Sequence, residues 1–144
     1  MVTGLDLVCE QIKIASGSKL NFKQEEIFFN GHAIECRINA ENSSTFLPSP
    51  GKIHTFHPPG GPGVRIDAIV YQGYQVSPFY DSLISKLIVY GKDREQAISK
   101  MQVALSETIV EGISTNITLH RQLLSDENFI SGDFSINYLE DKFM

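Results

Sequence analysis

The chain has 144 residues and a formal charge of −5 at neutral pH, with no tract of Lys and Arg, which argues against a nucleic-acid-binding surface. A chain of this size is expected to form one domain that buries roughly 70% of its extended surface, so a core can exist without disulfide or metal staples. No apolar run approaches the ~20 residues of a membrane span, no basic segment followed by an apolar one opens the chain, and the 2 cysteines, Cys9 and Cys36, sit in apolar patterns and are expected as reduced core thiols, which together fit a cytoplasmic protein.

In chain order, Thr3 and Asp6 have capping-box spacing and predict a helix start. Leu5, Val8, Ile12 and Ala15 follow as one apolar stripe, and Gly17 supplies a stop. So abrupt a start on an amphipathic helix suggests that a further segment precedes it. His32 to Asn39 alternates, with Ile34, Cys36 and Ile38 on one face and Glu35, Arg37 and Asn39 on the other, and predicts a strand. Leu47 to Gly51 is turn-rich, Lys52 to Phe56 reads as a short strand, and His57 to Gly63 as irregular. Val64 to Val70 is a further strand candidate. Leu83 to Tyr90 is apolar on nearly both faces, as in a central strand covered on both sides. Asp93 and Gln96 predict a second cap, ahead of Ala97, Met101, Leu105 and Ile109 at helical steps, with Gly112 as the stop. Asn116 to Leu124 reads as another helix, and Ser125 and Phe134 to Glu140 suggest shorter helical pieces. The order predicts an α+β fold, a mainly antiparallel sheet flanked by helices.

The polar face around Arg37 is the first candidate site. It is either an ordinary solvated face or the wall of an oxyanion site, since a guanidinium keeps its charge and offers planar, forked donors to carboxylate, carbonate or enolate oxygens. Glu35 or another acid would hold it. Asp81, just before the apolar run, reads either as a turn residue capping local N–H groups or as a carboxylate that orients Arg37. Lys86 within that run must pair or extend its ammonium to water. The glycines at 60 to 63 lack a following Gly-Lys-Ser/Thr and a helix, so they are not a phosphate loop. His54 and His57 lie in an extended stretch and are not expected to bind metal. Ser49, Ser82 and Ser85 have no triad partner or nucleophile elbow. Alone, the chain looks catalytically incomplete.

Three stretches resemble one family. His32-Ala33-Ile34-Glu35-Cys36-Arg37-Ile38-Asn39-Ala40-Glu41 with Phe46-Leu47-Pro48-Ser49-Pro50-Gly51-Lys52-Ile53, then Tyr80-Asp81-Ser82-Leu83-Ile84-Ser85-Lys86-Leu87-Ile88, then Glu107-Thr108-Ile109-Val110-Glu111-Gly112-Ile113-Ser114-Thr115-Asn116, are similar to the C-terminal domain of biotin carboxylases. The resemblance covers essentially the whole chain, so residues 1–144 are expected to be that domain. It is nearest to the biotin carboxylase subunit of bacterial acetyl-CoA carboxylase, which serves fatty acid biosynthesis.

The resemblance implies an ATP-dependent ligase that phosphorylates bicarbonate with ATP and Mg²⁺ and then carboxylates biotin on a carrier protein. Its ATP-grasp core, with the phosphate-binding lysines, metal-binding glutamates and general base, is expected to lie outside this chain. Arg37 matches the arginine beside bicarbonate and the biotin ureido oxygen, and Asp81 an acidic position near it. Ile136 matches an apolar residue that touches adenine. Arg65 matches a basic residue at a homodimer interface, where Pro62 departs from the aromatic residue of a relative. The implied partners are the ATP-grasp core, the biotin carboxyl carrier protein and a second copy. No cofactor is expected to bind this chain tightly by itself. The alternatives are a free-standing module that docks on carboxylase subunits, or the same domain from a propionyl-CoA, pyruvate or urea carboxylase.

Overall fold

The computed structural model describes residues 1–143. In order, they form α1 (Leu7–Ala15), a 3-10 turn (Gln24–Glu26), β1 (His32–Asn39), β2 (Gly51–Lys52), β3 (Thr55–His57), β4 (Val64–Ala68), β5 (Gln75–Val76), β6 (Leu83–Gly91), α2 (Arg94–Glu107), β7 (Ile109–Glu111), α3 (Ile117–Leu124), α4 (Glu127–Ser131) and α5 (Tyr138–Phe143). β6 is the middle of a three-stranded antiparallel sheet, β1-β6-β4, and β2-β5 and β3-β7 form antiparallel two-stranded ribbons. This is the α+β arrangement expected from the pattern.

Alternation decides which face of β1 meets the core. Cys36 and Ile38 point inward and join Leu87 and Val89 of β6 and Ala97, Met101 and Leu105 of α2 in one cluster. Fully burying each of the larger side chains stabilises the fold by about 1.5–3 kcal/mol, and this seam holds α2 across β6 and β1. Burial, with Glu35 next to it, pushes the Cys36 thiol up to about 12, so it stays protonated packing material.

Helix α2 begins where the spacing places it. The Asp93 side chain accepts from Gln96 N–H at 2.8 Å, and Gln96 Oε1 accepts from Lys92 N–H at 2.9 Å. Its end is not at Gly112. Thr108 turns extended (ψ 118°) and its hydroxyl donates to Ala104 O at 2.8 Å, so Ile109 leaves the helical stripe and joins β7. Gly112 serves the next turn instead: at φ 102°, a Cβ there would lie 2.2 Å from Lys52 O.

Four further expectations change. The strand read over Lys52 to Phe56 is split at Ile53 and His54, because Ile53 N–H bonds Tyr74 O at 2.9 Å while His54 N–H bonds Glu111 O at 2.7 Å. The backbone therefore switches partner from β5 to β7 within two residues, and two short ribbons replace one strand. β6 is covered fully on one face only, since Lys86, Ile88 and Tyr90 on the other are half-buried. Helix α1 is capped by Asp6, whose side chain accepts from Cys9 N–H at 2.9 Å, while Thr3 bonds only Leu5 N–H. Its apolar residues Leu7, Val8 and Ile12 are 64–65% exposed, and Cys9 is exposed rather than a core thiol.

Candidate oxyanion site on the sheet face

The register of the sheet lays out the site. On β1, Glu35 and Arg37 face away from α2. Arg37 lies opposite Lys86 of β6, which lies opposite Asp67 of β4, and the row beside it runs Glu35, Ile88, Arg65. One sheet face therefore carries three cations and two carboxylates in two adjacent rows. Arg65 commits both ends of its fork to Asp67, with Nε and Nη2 each 2.8 Å from a carboxylate oxygen. These bonds hold the Asp67 carboxyl below the usual carboxylate range and raise Arg65 in return.

Arg37 is far less committed. Its Nε lies 3.8 Å from Glu35 Oε1, and its side chain is 63% exposed. An exposed pair of this kind contributes about 0–1 kcal/mol, so Glu35 biases the guanidinium without occupying it. Among the described residues no side-chain hydrogen bond holds the Arg37 fork, which leaves its donors available to an outside oxyanion.

The backbone of Arg37 is held tightly. β1 is an edge strand, and the start of α3 closes its outer edge. Asn116 Oδ1 accepts from Asn39 N–H at 2.9 Å, Asn116 Nδ2 donates to Arg37 O at 3.1 Å, and Asn116 N–H donates to Asn39 O at 3.2 Å. His120, one turn further along α3, puts Nε2 2.9 Å from Arg37 O. A carbonyl only accepts, so this nitrogen carries the proton. A charged side chain with free donors thus stands on a backbone fixed from a second element.

Burial lowers His120 below its ordinary value of 6.5, with the hydrogen bond to Arg37 O opposing the shift. The unfolded chain then binds that proton more readily. The stability contributed by neutral His120 is complete above 6.5 and is lost as pH falls through the lower folded value. The parent protein should therefore lose stability on acidification faster than His120→Gln, whose amide donates without titrating. Equal pH slopes in thermal melts of the two would refute this.

The other expected site residues lie apart. Asp81 is exposed just before the start of β6, where its Oδ1 accepts from Leu83 N–H at 3.2 Å. The structure does not bring it to Arg37; the acid beside the guanidinium is Glu35. Glu41, two residues beyond β1, accepts from Asn39 Nδ2 at 3.1 Å and from the Ser82 hydroxyl, not from Arg37. Ile136, in the link between α4 and α5, is fully exposed. The glycine-rich loop is tied to α2, Lys100 Nζ reaching Pro62 O at 3.3 Å and Tyr90 O at 2.9 Å. Among the described residues no group of three or more His, Cys, Asp or Glu is placed to hold a metal ion, and no helix is long and apolar enough to cross a membrane. No motif marks Asn116 and His120 as site residues. In the sequence Asn116 stands at a helix start, and the one available signal is its spacing of four from His120 on a single helix face.

Comparison with known proteins identifies the family. A family profile described as the biotin carboxylase C-terminal domain matches residues 35–141. The chain is 61% identical over 142 residues to a biotin carboxylase of Haemophilus influenzae, covering 99% of this chain and 32% of that protein. It superposes with a TM-score of 0.93 and 48% identity on a biotin carboxylase from Campylobacter jejuni in complex with an ATP compound, covering 98% of this chain and 31% of that one. It also superposes, at 0.94 and 44% identity, on the biotin carboxylase domain dimer of Hydrogenobacter thermophilus 2-oxoglutarate carboxylase, solved with MgADP, ADP and bicarbonate; there it covers 98% of this chain and 31% of that one. The chain thus spans about a third of the length of the relatives it matches. A sheet-face arginine locked through its backbone, inside a fold and sequence shared with these proteins over nearly every residue, leaves one assignment: the chain belongs to the biotin carboxylase C-terminal domain family.

Proposed function

We propose that residues 1–144 are the C-terminal domain of an ATP-dependent biotin carboxylase, which carboxylates carrier-bound biotin with bicarbonate as the first half-reaction of acetyl-CoA carboxylase in fatty acid synthesis. The observation that carries this reading is the Arg37 side chain, uncommitted on a sheet face while its carbonyl is pinned by Asn116 and His120. Such an arginine is a preorganised anion stabiliser. Its donors would meet the bicarbonate oxygens and the negative charge that develops on the biotin ureido oxygen as the ureido N–H is lost. Glu35, the acid beside the guanidinium, would orient it, while Asp81 would hold the turn that leads into β6.

The described residues offer no carboxylate cluster for Mg²⁺. No phosphoryl step is therefore assigned to them. Their contribution to nucleotide is the apolar side chain of Ile136, whose full exposure suits a flat adenine ring. The phosphate and metal groups belong to an ATP-grasp core of the same protein. Leu7, Val8 and Ile12 on α1 form an apolar surface that such a core would cover. Arg65, braced by Asp67, is assigned to a homodimer contact, a reading favoured by the dimer of the Hydrogenobacter relative. The carrier protein is the remaining partner, and the cytoplasm the compartment. The acyl acceptor is a further choice, since the same domain occurs in a 2-oxoglutarate carboxylase.

The test is ADP release. The full-length protein should release ADP in a manner that requires both biotin and bicarbonate, whereas residues 1–144 alone should release none above background. Robust turnover by the purified chain would overturn its assignment as one wall of a larger site.

A further inference from the structure

The C-terminal segment is built around one carboxylate. Asp126 caps α4 by accepting from Asn128 N–H at 3.0 Å and Phe129 N–H at 3.4 Å, and it also accepts from the Tyr138 hydroxyl and the Lys142 ammonium of α5. Lys142 further donates to the Tyr138 hydroxyl at 3.0 Å. The Asp126 side chain is only 12% exposed, and these donors, Lys142 first, hold its carboxyl down to about 2.

An aromatic stack runs parallel to this clasp. Phe129 and Phe134 stack with centroids 5.1 Å apart, Phe134 lies 6.2 Å from Tyr138, and the Arg94 guanidinium sits 5.0 Å above Phe129. Arg94 also donates to the carbonyls of Phe129 and Ile130. The link between α4 and α5 is thereby fastened at both ends, with Gly132 left-handed at its start and Tyr138 N–H bonded to Ser135 O at 3.2 Å at its end. At its tip stands Ile136, fully exposed.

A single exposed apolar side chain is ordinary on a protein surface. What needs explaining is the amount of polar and aromatic fastening around a link that contributes nothing to the core. We propose that Asp126, acting through Tyr138 and Lys142, is a positioning residue that fixes this link and presents Ile136 to the purine ring of the nucleotide. The inference rests on the reading of Ile136 as the adenine contact, and it adds the device that aims that contact.

The test measures KM for ATP, KM for bicarbonate and kcat in the full-length protein carrying Ile136→Ala, Asp126→Ala or both. Ile136→Ala should raise KM for ATP about tenfold, the equivalent of one lost apolar contact. Asp126→Ala should raise it about three- to tenfold, with kcat and KM for bicarbonate within about twofold of the parent. The double variant should bind ATP no worse than Ile136→Ala alone, because both act through one contact. Asp126→Asn, which keeps the oxygen that caps α4 and accepts from Tyr138 but turns an amide N–H toward Lys142, should recover only part of the loss. Where Asp126→Ala does not fold, Tyr138→Phe takes its place in the same cycle. An unchanged KM for ATP in the clasp variant, or full additivity in the double variant, would overturn the positioning role. If Ile136→Ala itself leaves KM for ATP unchanged, the adenine reading falls, and the inference with it.

Discussion

Arg37→Ala in the full-length protein is expected to lower biotin carboxylation about 10²–10³-fold, the usual cost of removing one preorganised donor to a developing oxyanion. Its stability should barely change. The guanidinium is 63% exposed and meets Glu35 only at 3.8 Å, an interaction that contributes at most about 1 kcal/mol. The substitution also leaves the Arg37 carbonyl in place, so the bonds from Asn116 and His120 persist. Arg37→Lys should restore little, because a point ammonium cannot reproduce a planar fork aimed at two oxygens. The decisive measurement is the rate of carboxybiotin formation at saturating ATP, with a thermal melt beside it. Carboxylation at the parent rate in Arg37→Ala would remove the central site assignment. A large fall in melting temperature would instead make the arginine a structural residue.

The fold was legible where one local rule sufficed. The alternation of Ile34, Cys36 and Ile38 placed β1 at its observed bounds, and Asp93 with Gln96 placed the start of α2. Tertiary partners decided the rest. β5 and β7 are two and three residues long, too short to carry a period, and exist because Gly51–Lys52 and Thr55–His57 pair with them. The stripe on α1 is amphipathic as its spacing predicts, yet among the described residues nothing covers its Val8 and Ile12, because periodicity marks an apolar face without supplying a surface to bury it. The site divides in the same way. Arg37 stood out by residue type and by family motif. Its support did not, because Asn116 and His120 act on backbone groups of Arg37 from 79 and 83 positions away, and no local pattern marks a side chain that bonds a distant carbonyl. Asp81 shows the reverse limit: its motif is specific, but its carboxylate is spent on the turn before β6.

That distant support yields the largest expected loss of stability. Asn116 is 8% exposed and completes the outer edge of β1 with its amide oxygen on Asn39 N–H and its amide nitrogen on Arg37 O. Asn116→Ala leaves the Asn39 N–H without its partner, at about 1–3 kcal/mol, and removes one of two donors to Arg37 O, at about 0.5–1.5 kcal/mol. A combined loss of about 2–4 kcal/mol should lower the melting temperature by roughly 5–15 °C. Asn116→Asp separates the two contacts: the carboxylate still accepts from Asn39 N–H but turns a second acceptor toward Arg37 O, so only part of the stability should return. Because β1 carries Arg37, the folded fraction of Asn116→Ala should also carboxylate biotin more slowly, by less than Arg37→Ala does, since the guanidinium is displaced rather than deleted. The two variants therefore predict opposite signatures, one losing rate without stability and the other losing stability first. A melting temperature for Asn116→Ala within about a degree of the parent would show that the edge of β1 is closed by other means, and the backbone lock under Arg37 would have to be abandoned.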